Sequence, residues 1–105
     1  MRIEWSLFAI NDREAIFNYI EADSPRAAAT VDHRIEALVE TLIGTPEIGW
    51  PGRISGTREL VISRTPYIAA YRIEGGRIRI LRLLHGARQW PSDLSEEPGS
   101  ESTSG

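Results

Sequence analysis

Apolar residues recur along this chain with two different periods, and the switches between them mark its elements. Ile3 and Trp5 alternate with Arg2 and Glu4, a two-residue period that predicts a short strand. Ala15, Ile16, Tyr19 and Ile20 then return at the spacing of one helical face. Asn11 or Asp12 is placed to accept hydrogen bonds from the first free amides of that helix, and Glu14 lies near the positive end of its dipole. The stretch "ADSP" ends this helix and opens the next: Ser24 predicts a cap, and Pro25, which has no N–H, suits the first helical position. Val31, Ile35, Leu38 and Leu42 follow, widened by Val39 and Ile43, until Gly44 and Pro46 stop the run. A connection this tight folds the two helices into an antiparallel hairpin with their apolar faces turned the same way.

A Gly/Pro-rich loop, "GTPEIGWPGRISG", precedes three apolar runs of strand length: "TRELVIS", "YIAAYRI" and "RIRILRLLH". The last two are separated by "EGG", where glycine can adopt the positive φ of a hairpin turn. The final run alternates at first, then becomes apolar on both sides from Leu81 to Leu84, as an internal strand does. The predicted order is β-α-α-β-β-β, an α+β fold with the helical hairpin packed on a small, twisted antiparallel or mixed sheet. One domain over residues 1–91 is expected, followed by an acidic, Ser/Gly-rich tail over 92–105 that is expected to be disordered.

Composition narrows the chemistry. The chain has no cysteine, so disulfides and thiolate metal sites are excluded, and its two histidines cannot build a zinc site alone. Neither metal nor cofactor is expected. No apolar run has the length of a signal peptide or a membrane span, so the expected location is the cytoplasm. The net charge of -3 conceals an asymmetry: residues 50–91 carry eight arginines against Glu59 and Glu74, about +6, while residues 1–49 are acidic. All twelve cationic side chains are arginine, so no lysine can serve as a tunable acid or base.

With this layout, the stretches "GTREL" (56–60), "TPYIAAYRI" (65–73) and "ILRLLHGARQWP" (80–91) resemble the RelE/ParE superfamily of toxins from type II toxin-antitoxin modules, over residues 1–91. The resemblance implies a growth inhibitor neutralised by a cognate antitoxin, of ribbon-helix-helix type, in a hetero-oligomeric complex. Two targets occur in the superfamily: ParE-like members poison DNA gyrase, and RelE-like members cut mRNA on the ribosome. A metal-free ribonuclease needs a base, an acid and cations for the charge developing on phosphorus. RelE-like nucleases supply lysines, an arginine after the tyrosine of the penultimate strand, and an arginine and aromatic residue after the last strand. Here lysines are absent, Ile68 follows Tyr67, and Arg88 is followed by Trp90 rather than a tyrosine. The resemblance therefore leans to gyrase inhibition. The alternatives are a ribosome-dependent endoribonuclease, with Arg58, Arg82, His85 and Arg88 as its catalytic set, and a non-toxic interaction remnant.

Each of these residues also has a structural reading. Arg77 and Arg79 alternate with isoleucines and read as solvated edge charges, while Arg82 is expected to pair with a carboxylate such as Glu59. His85 and Arg88 flank Gly86 beyond the last strand, where side chains are presented to solvent. His33 reads as a solvated or interface histidine. Trp50 and Trp90 read as shields of the sheet edge, and Tyr67 and Tyr71 as core residues with rim hydroxyls. The arginine-rich final strand is then expected to face an acidic partner.

Overall fold

A computed structural model of the protein describes residues 1–94. Strand β1 (Arg2–Trp5) leads into helices α1 (Leu7–Glu21) and α2 (Pro25–Glu40), the latter extended by a 3-10 turn at Thr41–Ile43. Strands β2 (Trp50–Pro51), β3 (Arg58–Val61), β4 (Tyr67–Glu74) and β5 (Arg77–His85) complete a five-stranded sheet in the order β1-β5-β4-β3-β2. β1 runs parallel to β5 and the other pairs are antiparallel. The predicted α+β order holds, with one strand more than the apolar runs indicated. β2 is two residues long and lies inside the Gly/Pro-rich loop, too short to leave a periodic signal.

The first helix begins earlier than expected. Ser6, not Asn11 or Asp12, is its cap: the hydroxyl accepts from the Ala9 N–H at 3.0 Å and donates to the Leu81 carbonyl at 2.8 Å. One buried side chain thus starts α1 and ties it to β5. Ser24 caps α2 from the expected position, accepting from the Ala27 N–H at 3.1 Å. Arg13 on α1 holds Asp32 on α2 through two hydrogen bonds of 2.6 and 2.9 Å.

The hairpin buries Ala9, Ile35, Val39 and Leu42 against Leu60, Ile62, Ala69, Tyr71, Ile78, Ile80 and Leu83 of the sheet region. Full burial of a side chain such as Ile35 contributes about 1.5–3 kcal/mol. β5 explains its own change of pattern. Tyr71 pairs with Ile80 but Ala70 pairs with Arg82, so Leu81 is an extra residue. A bulge shifts the alternation by one position. Ile78, Ile80 and Leu83 therefore face the helices, while Leu81 joins Ala70 and Leu94 in a smaller core on the opposite side, with Ile54, Leu84 and Trp90 packed around it. Among the described residues that face carries no helix, and the chain after β5 packs on it through Trp90 and Leu94. The packed chain consequently runs past Pro91 to Leu94, while the rest of the expected disordered tail, 95–105, lies outside the described residues.

Candidate functional site

β5 ends beside α1, and the chain after it turns back at Gly86, whose N–H donates to the Pro66 carbonyl at 2.8 Å. This return leaves a groove of about 410 Å³. α1 contributes Asp12, Ile16 and Tyr19 to its walls, the strands contribute Tyr67 and His85, and the returning chain contributes Arg88 and Trp90. The turn is fixed by the end of β5. The His85 carbonyl accepts from the Arg88 N–H and from the Trp90 indole, each at 3.1 Å. Trp90 is held on its other side by Arg53, whose guanidinium lies 3.5 Å from the ring centroid.

His85 is oriented by two contacts. Its ring meets Tyr67 edge-on at 5.9 Å between centroids, and Nδ1 accepts the Ala87 N–H at 3.2 Å. This bonding assigns the ring proton to Nε2, which has no partner among the described residues. Arg88 is exposed and its guanidinium has no carboxylate partner among the described residues.

The other two candidates are not part of this arrangement. Arg82 forms a two-pronged pair with Asp12, at 2.7 and 3.0 Å, and lies over Phe8. Its partner is Asp12 and not Glu59, which holds Arg53 instead. Asp12 also accepts the Leu83 N–H at 3.0 Å, so both its oxygens are engaged and it offers the groove no free base. Arg58 lies opposite Tyr71, in the row of Ile80, whereas His85 is in the row of Tyr67. Four residues of strand separate those rows, roughly 13 Å, before the distance across the strands is added. The four expected residues do not converge.

The reading of Arg77 and Arg79 as solvated edge charges is also corrected. β1 covers that edge of β5, and Glu4 accepts from Arg77 at 2.9 Å and Arg79 at 3.0 Å while also holding Arg2. Burial alone would push the Glu4 carboxyl up, but the bonds from Arg79 and Arg2 and the charge of Arg77 hold it below its ordinary value. Arg72 and Arg77 share Glu74, whose carboxyl is lowered chiefly by the Arg72 bond. The arginine-rich strand is thus stitched into the fold. Tyr71 departs from its reading too: its hydroxyl is inside, donating to the Pro46 carbonyl at 2.7 Å and accepting from the Gly49 N–H at 3.0 Å. Burial pushes that phenol up. Trp50 is largely exposed on β2.

A family model described as "ParE toxin of type II toxin-antitoxin system, parDE" matches residues 3–90. The chain belongs to this ParE toxin family. It is 46% identical over 93 residues to the Sinorhizobium fredii protein named "Putative toxin Y4kP", covering 89% of this chain and 96% of that one. It is 34% identical over 89 residues to "Toxin RelE2" of Caulobacter vibrioides, covering 83% and 97%. Among solved structures, a chain of the "Chromosomal ParDE TA system from P. aeruginosa" superposes with a TM-score of 0.71 at 30% identity, covering 79% of this chain and 92% of that one. The protein is therefore a ParE-family toxin of a type II module, and the family implies an antitoxin partner. Among the described residues no helix is long and apolar enough to cross a membrane. The groove residues that sequence reasoning missed are Asp12 and Tyr19. Their only signal in the sequence is position on α1, where Asp12 reads as a cap and Tyr19 as part of the apolar helix face.

Proposed function

We propose that this ParE-family toxin inhibits DNA gyrase without covalent chemistry of its own. It acts in the cytoplasm and is held inactive in a hetero-oligomer with a ribbon-helix-helix antitoxin. The observation that carries this reading is the engagement of Arg82 by Asp12. Phosphoryl transfer without a metal needs cations free to meet charge developing on phosphorus. In a chain without lysine, the cation nearest His85 along β5 is committed to a structural carboxylate, and Arg58 is on another strand and in another row. What remains at the groove is one exposed arginine and aromatic side chains, a surface suited to contact.

The test is a supercoiling assay with gyrase, ATP and relaxed plasmid. Loss of supercoiling with accumulation of cleaved DNA is expected. Undisturbed supercoiling together with cut messages in a translating extract rejects the reading in favour of the endoribonuclease. That second reading is kept by one observation: His85 and Arg88 share the groove with Tyr67. An absence of growth inhibition with antitoxin binding retained would identify a non-toxic remnant.

A further inference from the structure

The turn between β3 and β4 holds its backbone in a conformation that its sequence does not favour. Arg64 has a φ of 64°, the one positive value at a residue other than glycine among the described residues. The Thr65 N–H donates to the Ile62 carbonyl at 3.2 Å, which closes a four-residue turn with Arg64 in its third place. A positive φ at that place alone marks a type II turn, where glycine or asparagine is the favoured residue. Neighbours hold the strain in. The Thr65 hydroxyl donates to the Ile62 carbonyl at 2.8 Å and accepts the Tyr67 N–H at 3.1 Å, while the Ile62 N–H donates to the Tyr67 carbonyl at 3.0 Å. Arg64 itself is exposed and makes no ion pair among the described residues. A strained residue fixed at an exposed tip, with no partner inside the fold, points to a contact outside the chain.

The tip lies at the same end of the sheet as the groove. Tyr67 is opposite His85, and the Pro66 carbonyl accepts the Gly86 N–H. Arg64 and Arg88 each stand two residues from that bond, so their Cα atoms are at most roughly 21 Å apart. Residues 62–68 and 85–91, the two segments joined by the bond, contain both arginines and His85 but no Asp or Glu. His85 adds its Nε2–H, since Nδ1 is occupied by the Ala87 N–H. These segments form a cationic rim on a chain that is acidic overall.

We infer, resting on the gyrase reading proposed above, that the rim from Arg64 to Arg88 holds phosphates of the DNA that gyrase has bound. An inhibitor that accumulates cleaved DNA must bind the DNA-loaded enzyme more tightly than the empty one, because a ligand with equal affinity for two states shifts neither. Contact with the DNA itself supplies that difference. Contact with gyrase carboxylates, which are present in both states, does not. Spacing favours the same partner. A duplex carries one charge per about 1.7 Å of its axis, so arginines this far apart meet phosphates in any register, whereas carboxylates on a protein would have to be spaced to match. Two such contacts are weak alone, and attachment to gyrase raises the effective concentration of the DNA.

The test measures the affinity of the toxin for gyrase alone and for gyrase loaded with a linear duplex. Wild type is expected to bind the loaded form about tenfold more tightly. Arg64→Gly relieves the turn, so it should melt no lower than wild type. It should nonetheless lose about threefold to tenfold in affinity for the loaded form while binding empty gyrase unchanged. Arg64→Lys keeps a cation at the tip and should recover most of that loss, a recovery that a purely structural arginine would not show. The toxin alone, titrated to about millimolar duplex at low salt, should shift the amide signals of residues 63–65 and 85–88, and added salt should abolish the shifts. Equal affinity of wild type for the two gyrase forms overturns the inference. Equal losses of Arg64→Gly against both forms overturn it too, and assign the arginine to gyrase carboxylates. Absence of the amide shifts, or larger shifts with an RNA strand than with the duplex, does the same, the latter in favour of the endoribonuclease. Should wild type bind gyrase in neither form, the gyrase reading falls by that result, and the duplex titration of the free toxin decides the DNA contact separately.

Discussion

Asp12 and Arg82 are 70 positions apart in the chain and are joined by two hydrogen bonds, with the carboxylate also taking the Leu83 N–H. The pair closes the part of β5 that β1 is too short to cover. Removing one partner leaves a mostly buried charge without compensation. Asp12→Ala is expected to destabilise by about 3 kcal/mol and Arg82→Ala by a similar amount, whereas the double change to leucine restores much of the loss. Urea unfolding of the three variants checks this, and strictly additive losses would count against it.

Arg88 offers the contrast. It makes no ion pair among the described residues, so Arg88→Ala should leave the melting temperature unchanged, with a stability effect within about 0.5 kcal/mol. Growth inhibition on induction should nonetheless fall. Arg82→Ala should lower both quantities together. A toxicity loss in Arg82→Ala without loss of stability would show that the arginine acts at the target.

The Tyr71 hydroxyl ties the loop before β2 to the sheet through Pro46 and Gly49. Tyr71→Phe leaves both loop groups without their partner and is expected to cost about 1–3 kcal/mol. Gly49→Ala tests the same junction sterically, because its new carbon would stand 2.6 Å from the Tyr71 hydroxyl and 2.8 Å from the Glu59 carbonyl. Thermal melts should show both variants destabilised.

Acid should loosen the fold through its arginine-paired carboxylates. Glu4, Glu59 and Glu74 are all held below their ordinary value of 4.5. For Glu59, burial acts upward but the side-chain and backbone bonds from Arg53 outweigh it. A carboxylate with a depressed folded value binds fewer protons folded than unfolded. Its stabilisation is therefore present above the unfolded value and lost as pH falls through the folded one. The urea midpoint should hold steady from about pH 7 to about 5.5 and fall below about 4.5, and less steeply in Glu4→Gln. A midpoint unchanged at about pH 3 would contradict the role given to these pairs.

The sequence alone determined the local elements. Ser24 and Pro25 set the start of α2, its stripe of Val31, Ile35, Leu38 and Leu42 set the buried face, and the alternation in β4 and β5 set two strands, because capping and periodicity depend on neighbours a few residues away. It also excluded thiol and lysine chemistry, since absent residues need no structure to be counted. Tertiary structure alone decided which charges are free. Arg82 and Arg88 look alike in "ILRLLHGAR", yet one is met by Asp12 from α1 and the other is exposed. Likewise Arg77 and Arg79 became interior to the sheet only because β1 returns to lie beside β5. An ion pair depends on distances between groups far apart in sequence, and only the packing of helices and strands brings those groups together.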